Sequence, residues 1–304
     1  MSEWGDRMGT KKVAFQGERG AYGEMAALQH FPGAKLVPYK TFADVFEAVE
    51  SKKADFAVIP VENSIEGSVG EVYDLLLATK LSAVGEVYQR VRHCLIANPG
   101  VKMGDIRVVH SHPQALGQCR QYLQRKKLEA MPAYDTAGSA KMIKEQKLAD
   151  AAAIASRRAA ELYGMDILDE GIEDRKNNYT RFLVMALPSP ASLQGKKNKK
   201  RAARGKGARG GKKKGAGKKM SIIFSVKHVP GALFGILGEF AIRRLNLTKI
   251  ESRPTKETPW EYNFYVDFEG DEGGEMEKVL AAIKDRTSYL KVVGSYSRAE
   301  FNPQ

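Results

Sequence analysis

The chain has 304 residues, 43% of them hydrophobic, with 49 Lys and Arg against 36 Asp and Glu, a formal net charge of +13. That length suits two domains with a sizeable core, and no stretch approaches the ~18 consecutive apolar residues of a membrane span. Two cysteines, Cys94 and Cys119, without a CxxC pair or clustered histidines, exclude a disulfide framework and a zinc signature.

Both cysteines sit in apolar contexts and read as small core residues. The start, Met1-Ser2-Glu3-Trp4-Gly5-Asp6, lacks the basic-then-apolar order of a signal peptide, so the expected location is cytoplasmic. The charge is unevenly spread. Gly195–Lys219 holds 13 of the 49 basic residues and no acidic one, which leaves 36 against 36 elsewhere. This Lys/Arg/Gly/Ala insert cannot bury a core and reads as a disordered tether, with weak polyanion binding through 195–219 as a further expectation.

After a loose leader, 1–10, Val13-Ala14-Phe15 reads as a buried strand entering the Gly-rich turn Gln16 to Gly23 and a helix over about Glu24–His30. Phe42, Val45, Phe46 and Val49 recur at helical spacing over 42–51. The apolar run Phe56–Val61 then reads as a strand buried on both faces, ending in a polar cluster, Glu62 to Ser68, and a helix to about Leu77. Strands follow near Ser82–Tyr88, His93–Ala97 and Arg107–His110; the last enters Ser111-His112-Pro113-Gln114, where a helix begins with Ser111 as a plausible cap. A strand near Ala130, a helix over 139–147 with Thr136 near its start, the strand Ala151–Ile154 and a helix over 156–163 come next. Residues 169–178 are polar, and Thr180–Ala186 is a last strand of this part.

Alternating strands and helices over 12–187 argue for α/β, with polar clusters recurring after separate strands as in two lobes facing one cleft. Such a cleft suits a small polar ligand; no dinucleotide, P-loop or metal motif appears, so no cofactor and no metal is expected. Beyond the insert the order changes to strand 221–226, helix 231–245, strands 247–253 and 261–268, helix 274–285 and strand 290–297, the ferredoxin-like βαββαβ plan.

Asn178-Tyr179-Thr180-Arg181-Phe182, Glu62-Asn63-Ser64 with Gly67-Ser68, Ser111-His112-Pro113-Gln114-Ala115, Gly231-Ala232-Leu233-Phe234 and Glu251-Ser252-Arg253-Pro254 together resemble the prephenate dehydratase family with its C-terminal ACT domain. Phe15-Gln16-Gly17 with Gly20-Ala21-Tyr22 is also similar to the plant-type arogenate dehydratases. The resemblance implies a dehydratase domain over 11–187, its two lobes like those of type II periplasmic binding proteins, a linker over 188–219 and an ACT domain over 220–304. It implies decarboxylative dehydration of prephenate to phenylpyruvate, with L-arogenate as the alternative substrate and a non-catalytic amino-acid sensor as the alternative class. Thr180, Glu62, Asn63 and Ser64 are then the catalytic candidates; Arg181, Phe182, Ser111, His112, Gln114, Thr136, Gly20 and Tyr22 are the substrate-binding ones. L-Phenylalanine as feedback effector is implied at Gly231, Ala232, Leu233 and Phe234 and at Glu251, Ser252, Arg253 and Pro254, in a homodimer or homotetramer. Strand alternation sets Arg181 opposite Thr180 and Phe182, so Arg181 has a structural ion pair across the lobe interface as its rival role.

Overall fold

A computed structural model describes residues 10–188, 217–255, 258, 260–270 and 274–301. The leader up to residue 9 and the basic insert up to residue 216 lie outside the described residues, and with them the tether and polyanion expectations. The chain divides into two compact units, one formed by residues up to Tyr73 with Val87–Leu183, the other by Asp74–Glu86 with Val184–Phe301.

In the first unit β1 (Lys12–Gln16) pairs in parallel with β2 (Lys35–Tyr39) on one side and β3 (Phe56–Asn63) on the other. β11 (Tyr179–Ala186) is the other neighbour of β3, giving the order β11-β3-β1-β2. Phe56 to Ile59 are buried, as a strand covered on both faces requires. Helices α1 (Tyr22–His30) and α2 (Phe42–Glu50) cover it, and Thr41 and Asp44 close a reciprocal capping box on α2.

A second sheet in this unit has the order β10-β6-β9-β7-β8. Its strands are β10 (Asp166–Glu170), β6 (Cys94–Ala97), β9 (Ala151–Ala155), β7 (Val108–Ser111) and β8 (Glu129–Pro132). All five residues of β9 are buried, four of them alanines whose short side chains let α6 (Thr136–Gln146) pack on the strand. The helix starts differ from the expectation. α4 (Pro113–Gln118) is capped by His112, whose Nδ1 accepts from the Gln114 amide at 3.3 Å, and α6 by Asp135, which accepts from the Gly138 amide at 2.7 Å. Ser111 cannot cap because it still belongs to β7, and Thr136 is already the first helical residue. α7 (Arg157–Tyr163) has Ser156 as N-cap and Gly164, at φ 59°, as C-cap.

The second unit contains β12 (Lys218–Ser225), α8 (Ala232–Ile242), β13 (Asn246–Pro254), β14 (Tyr262–Gly270), α9 (Glu275–Lys284) and β15 (Tyr289–Ser297), the βαββαβ order read from the sequence. β12 lies between β14 and β15, antiparallel to both, and the helices bury Ile236, Phe240, Val279 and Ile283 against Phe224, Val266 and Phe268. Lys218 and Lys219, read as the end of the tether, are the first residues of β12. Lys219 is buried, and its ammonium meets the Glu86 carboxylate at 3.2 Å, which compensates a charge that could not otherwise leave water.

The segment Asp74–Glu86 that joins this unit carries the end of α3 (Gly70–Ala78) and the start of β5 (Ser82–Arg90). Gly294 of β15 pairs with Ala83 so closely that a Cβ there would strike the Ala83 carbonyl oxygen. Lys291 donates to the carbonyls of Leu76, Leu77 and Thr79 at 2.9, 2.8 and 2.6 Å, a cation on the negative end of a helix. Among the described residues no helix is long and apolar enough to cross a membrane.

Candidate functional site

The site is built where β3 and β11 end side by side. Asn63, the last residue of β3, is buried, and its Oδ1 accepts from the backbone amides of Ile65 and Glu66 at 2.9 and 3.0 Å. Backbone amides can only donate, so the side-chain orientation follows: Nδ2 faces Asn178 Oδ1 at 2.8 Å, Thr180 Oγ1 at 3.1 Å and the Tyr179 carbonyl at 3.2 Å. Thr180 therefore accepts from Asn63, and its own O–H is directed elsewhere.

Glu62 and Arg181 alternate with Asn63 and Thr180 along the same two strands and so occupy the opposite face. Arg181 is 5% exposed and its Nη1 lies 4.0 Å from Glu62 Oε2. Arg181 thus ion-pairs with the neighbouring strand of the same sheet, and not across the lobe interface. Phe182 is buried. Ser64 is tied to the backbone: its hydroxyl donates to the Asn177 carbonyl at 2.9 Å and accepts from the Tyr179 amide at 3.0 Å, which pins the entry to β11.

The other predicted residues separate into those used by the fold and those left accessible. Ser111 is fully buried and its hydroxyl donates to the Ile154 carbonyl at 2.6 Å. Gly20 has φ 91°, and a Cβ there would lie 2.8 Å from Ala159 Cα, so the turn after β1 needs glycine on both counts. Its amide donates to the buried Glu24 carboxylate at 2.7 Å, so an anion-binding role for that N–H is already met within the chain. His112 and Gln114 are exposed and Thr136 half-buried. Burial lifts the pKa of Asp135 beside them, against the pull of the amides it caps.

Sequence reasoning missed the interior of this region. Asn178 is fully buried and donates through Nδ2 to Gln118 Oε1 at 2.8 Å; His93 Nε2 lies 2.9 Å from the same oxygen, and His93 Nδ1 is 3.1 Å from the Tyr22 hydroxyl, which also lies 2.8 Å from the Arg92 carbonyl. Burial lowers the pKa of His93, with the Gln118 bond and Glu173 opposing it, and burial raises that of Tyr22. Tyr22, predicted at the substrate, ends instead on this histidine. The available signal was a histidine, a glutamine and an asparagine, each followed by an apolar or aromatic residue, Cys94, Cys119 and Tyr179. Among the described residues no group of His, Cys, Asp and Glu is placed to hold a metal ion.

In the second unit a cavity of about 350 Å³ is lined by Val226 to Pro230, Ala232, Leu233, Trp260, Glu261, Tyr262 and Phe264. Of the predicted effector residues, Ala232 and Leu233 line it, while Phe234 is 80% exposed. Gly231, at φ 82°, starts α8. Glu251 to Pro254 do not line it; Ser252 and Pro254 pair in β13 with the cavity residues Phe264 and Tyr262.

A family model described as prephenate dehydratase matches residues 13–190, and one described as ACT domain matches 220–286. The chain is 42% identical over 299 residues to arogenate dehydratase/prephenate dehydratase 2, chloroplastic, of Arabidopsis thaliana, an overlap of 94% of this chain and 72% of that one. Among solved structures it resembles the prephenate dehydratase of Arthrobacter aurescens in complex with L-Phe, with TM-score 0.80, 28% identity and coverage of 96% and 92% of the two chains. It also resembles GqqA, described as a novel type of quorum-quenching acylase, with TM-score 0.81, 32% identity and coverage of 95% and 98%.

Proposed function

Because this chain belongs to the prephenate dehydratase family, with an ACT domain after the dehydratase part, we propose that it converts prephenate to phenylpyruvate, CO2 and water, with Thr180 as the group that assists departure of the ring hydroxyl. In this reaction the bond from C1 to the ring carboxylate breaks and its electron pair enters the ring. The C4–O bond breaks with the pair leaving on oxygen, which takes up a proton as water. Aromatisation supplies the driving force, so the protein's task is orientation and hydrogen bonding to the leaving oxygen.

The observation that carries this reading is the bond from Asn63 Nδ2 to Thr180 Oγ1 at 3.1 Å, in an Asn63 locked by two backbone amides. An acceptor hydroxyl has its hydrogen free to point into a ligand, and the amide dipole stabilises the oxygen as that hydrogen shifts toward the leaving group. A threonine hydroxyl is too weak an acid to ionise fully here, so the net proton comes from solvent. The same geometry disfavours acyl transfer: the amide at Thr180 donates and cannot take its proton, so no activated nucleophile forms.

In this proposal Glu62 acts by holding Arg181, Ser64 by pinning β11, and His112, Gln114 and Thr136 meet the substrate's polar groups. L-Arogenate, which carries an ammonium where prephenate has the side-chain ketone, is the second substrate, favoured by the name of the Arabidopsis relative.

The ACT domain supports feedback by L-phenylalanine. The apolar walls Val226, Leu233 and Phe264 suit a benzyl group, and the first-turn amides of α8 suit a carboxylate. Exposed Phe234, Ile242 and Trp260 favour a homodimer or homotetramer, which sedimentation tests. The two free, buried thiols fit a reducing compartment such as the cytoplasm. Weak polyanion binding through 195–219 rests on charge alone; salt-dependent retention on heparin that survives removal of residues 195–216 would reject it. The activity is tested with prephenate and L-arogenate side by side against wild type and Thr180→Ala.

A further inference from the structure

We propose that His93 is a positioning residue for this reaction, holding the Thr180 hydroxyl in register through a one-way chain of hydrogen bonds; the inference rests on the role given to Thr180 above. The direction of every bond from Asn63 to His93 follows from the end anchored at Asn63. Asn63 Oδ1 accepts from two backbone amides, so its Nδ2 must be the donor to Asn178 Oδ1. Asn178 Oδ1 being an acceptor, its Nδ2 must donate to Gln118, and the Gln118 atom there must be Oε1. An oxygen that accepts from Asn178 can meet His93 Nε2 at 2.9 Å only if that nitrogen carries hydrogen. In the neutral ring Nδ1 then keeps its lone pair, and the single hydrogen of the Tyr22 hydroxyl, 3.1 Å away, is shared between that nitrogen and the Arg92 carbonyl at 2.8 Å.

His93, Gln118, Asn178 and Asn63 are all at most 9% exposed, so water does not compete for these bonds. A reversed link between Asn63 and His93 would set two lone pairs or two hydrogens against each other in a buried site, where an unpaired polar group is costly. The chain crosses the first unit from α1, past the start of β6 and the end of α4, just before α5 (Arg120–Lys126), to the mouth of β11. It therefore ties the turn after β1 and the second sheet to the reacting hydroxyl. The neighbouring carboxylate of Glu173 accepts from the His93 amide through Oε2 at 2.9 Å, which holds the ring's own backbone in place.

Two measurements on the full chain test this. Nitrogen-15 NMR of wild-type protein with labelled histidine should show His93 as the neutral Nε2–H tautomer at neutral pH; an Nδ1–H tautomer would overturn the proposal whatever the enzyme's substrate. His93→Met should lower kcat on the preferred substrate by about 10–100-fold with KM changed little, since a misplaced reacting group costs turnover before binding. His93→Gln, which can place an N–H near Nε2, should recover most of that loss. Equal losses in both variants, or none in either, would reject the positioning role. If instead Thr180→Ala retained wild-type activity, the role of Thr180 would fail, while the tautomer result would still report on the chain itself.

Discussion

Asn63→Asp is the sharpest perturbation of the site, because it changes almost no volume and reverses one set of bonds. The retained Oδ1 can still accept from Ile65 and Glu66, but the atom replacing Nδ2 becomes an oxygen facing Asn178 Oδ1 at 2.8 Å and the Tyr179 carbonyl at 3.2 Å. The Thr180 hydroxyl, 3.1 Å away, would turn its hydrogen toward the new carboxylate and away from the leaving group. Loss of one preorganised donor of this kind costs about 10²–10³ in kcat, or roughly 3–4 kcal/mol of transition-state stabilisation. Stability should also fall, since a buried oxygen now opposes two others at about 1–3 kcal/mol for each unsatisfied group. Initial rates of product formation from prephenate and L-arogenate, beside thermal unfolding, read both effects. A kcat within twofold of wild type in a folded Asn63→Asp protein would refute the assignment of donor and acceptor at Thr180.

Lys219→Ala should destabilise the second unit by about 3–5 kcal/mol, seen as a lower unfolding midpoint, because it takes the ammonium away from the buried Glu86 carboxylate; pairing Lys219→Met with Glu86→Leu should recover much of the loss. Gly20→Ala should lower stability by about 2–4 kcal/mol in denaturant titration, from a positive φ and a Cβ set against Ala159. Glu62→Gln should affect kcat less than Asn63→Asp, as steady-state kinetics would show, because Glu62 faces away from Thr180 with Arg181.

Most strands were legible because their apolar runs are buried on both faces, as at Phe56–Ile59 and Ala151–Ala155. Two were not. β2 holds Pro38 and lies at the end of its sheet, where a missing amide is tolerated, and β10 is a polar edge strand spelled Asp-Ile-Leu-Asp-Glu. The family motif led to Thr180 and Asn63, while composition led Lys219 into a tether from which burial and Glu86 remove it. Ser64, Ser111 and the Gly20 amide carry the donors expected at a site, yet the fold uses all three. Sequence shows that a hydroxyl or amide is present and not what it already bonds. For the same reason His93, Gln118 and Asn178, up to 85 positions apart in the chain, gave no pattern: their meaning lies in burial and in the direction of bonds anchored at Asn63.

The central claim is that Thr180, polarised by Asn63, assists loss of a ring hydroxyl from prephenate or arogenate. Supplying each substrate to purified wild-type protein and to Thr180→Ala, and measuring phenylpyruvate and phenylalanine formed, tests it most directly. The account predicts product from the wild type with at least one substrate and a loss of about 10²-fold or more in kcat for a folded Thr180→Ala protein. No product from the wild type with either substrate, as expected of a non-catalytic sensor, or undiminished turnover by Thr180→Ala, would contradict it.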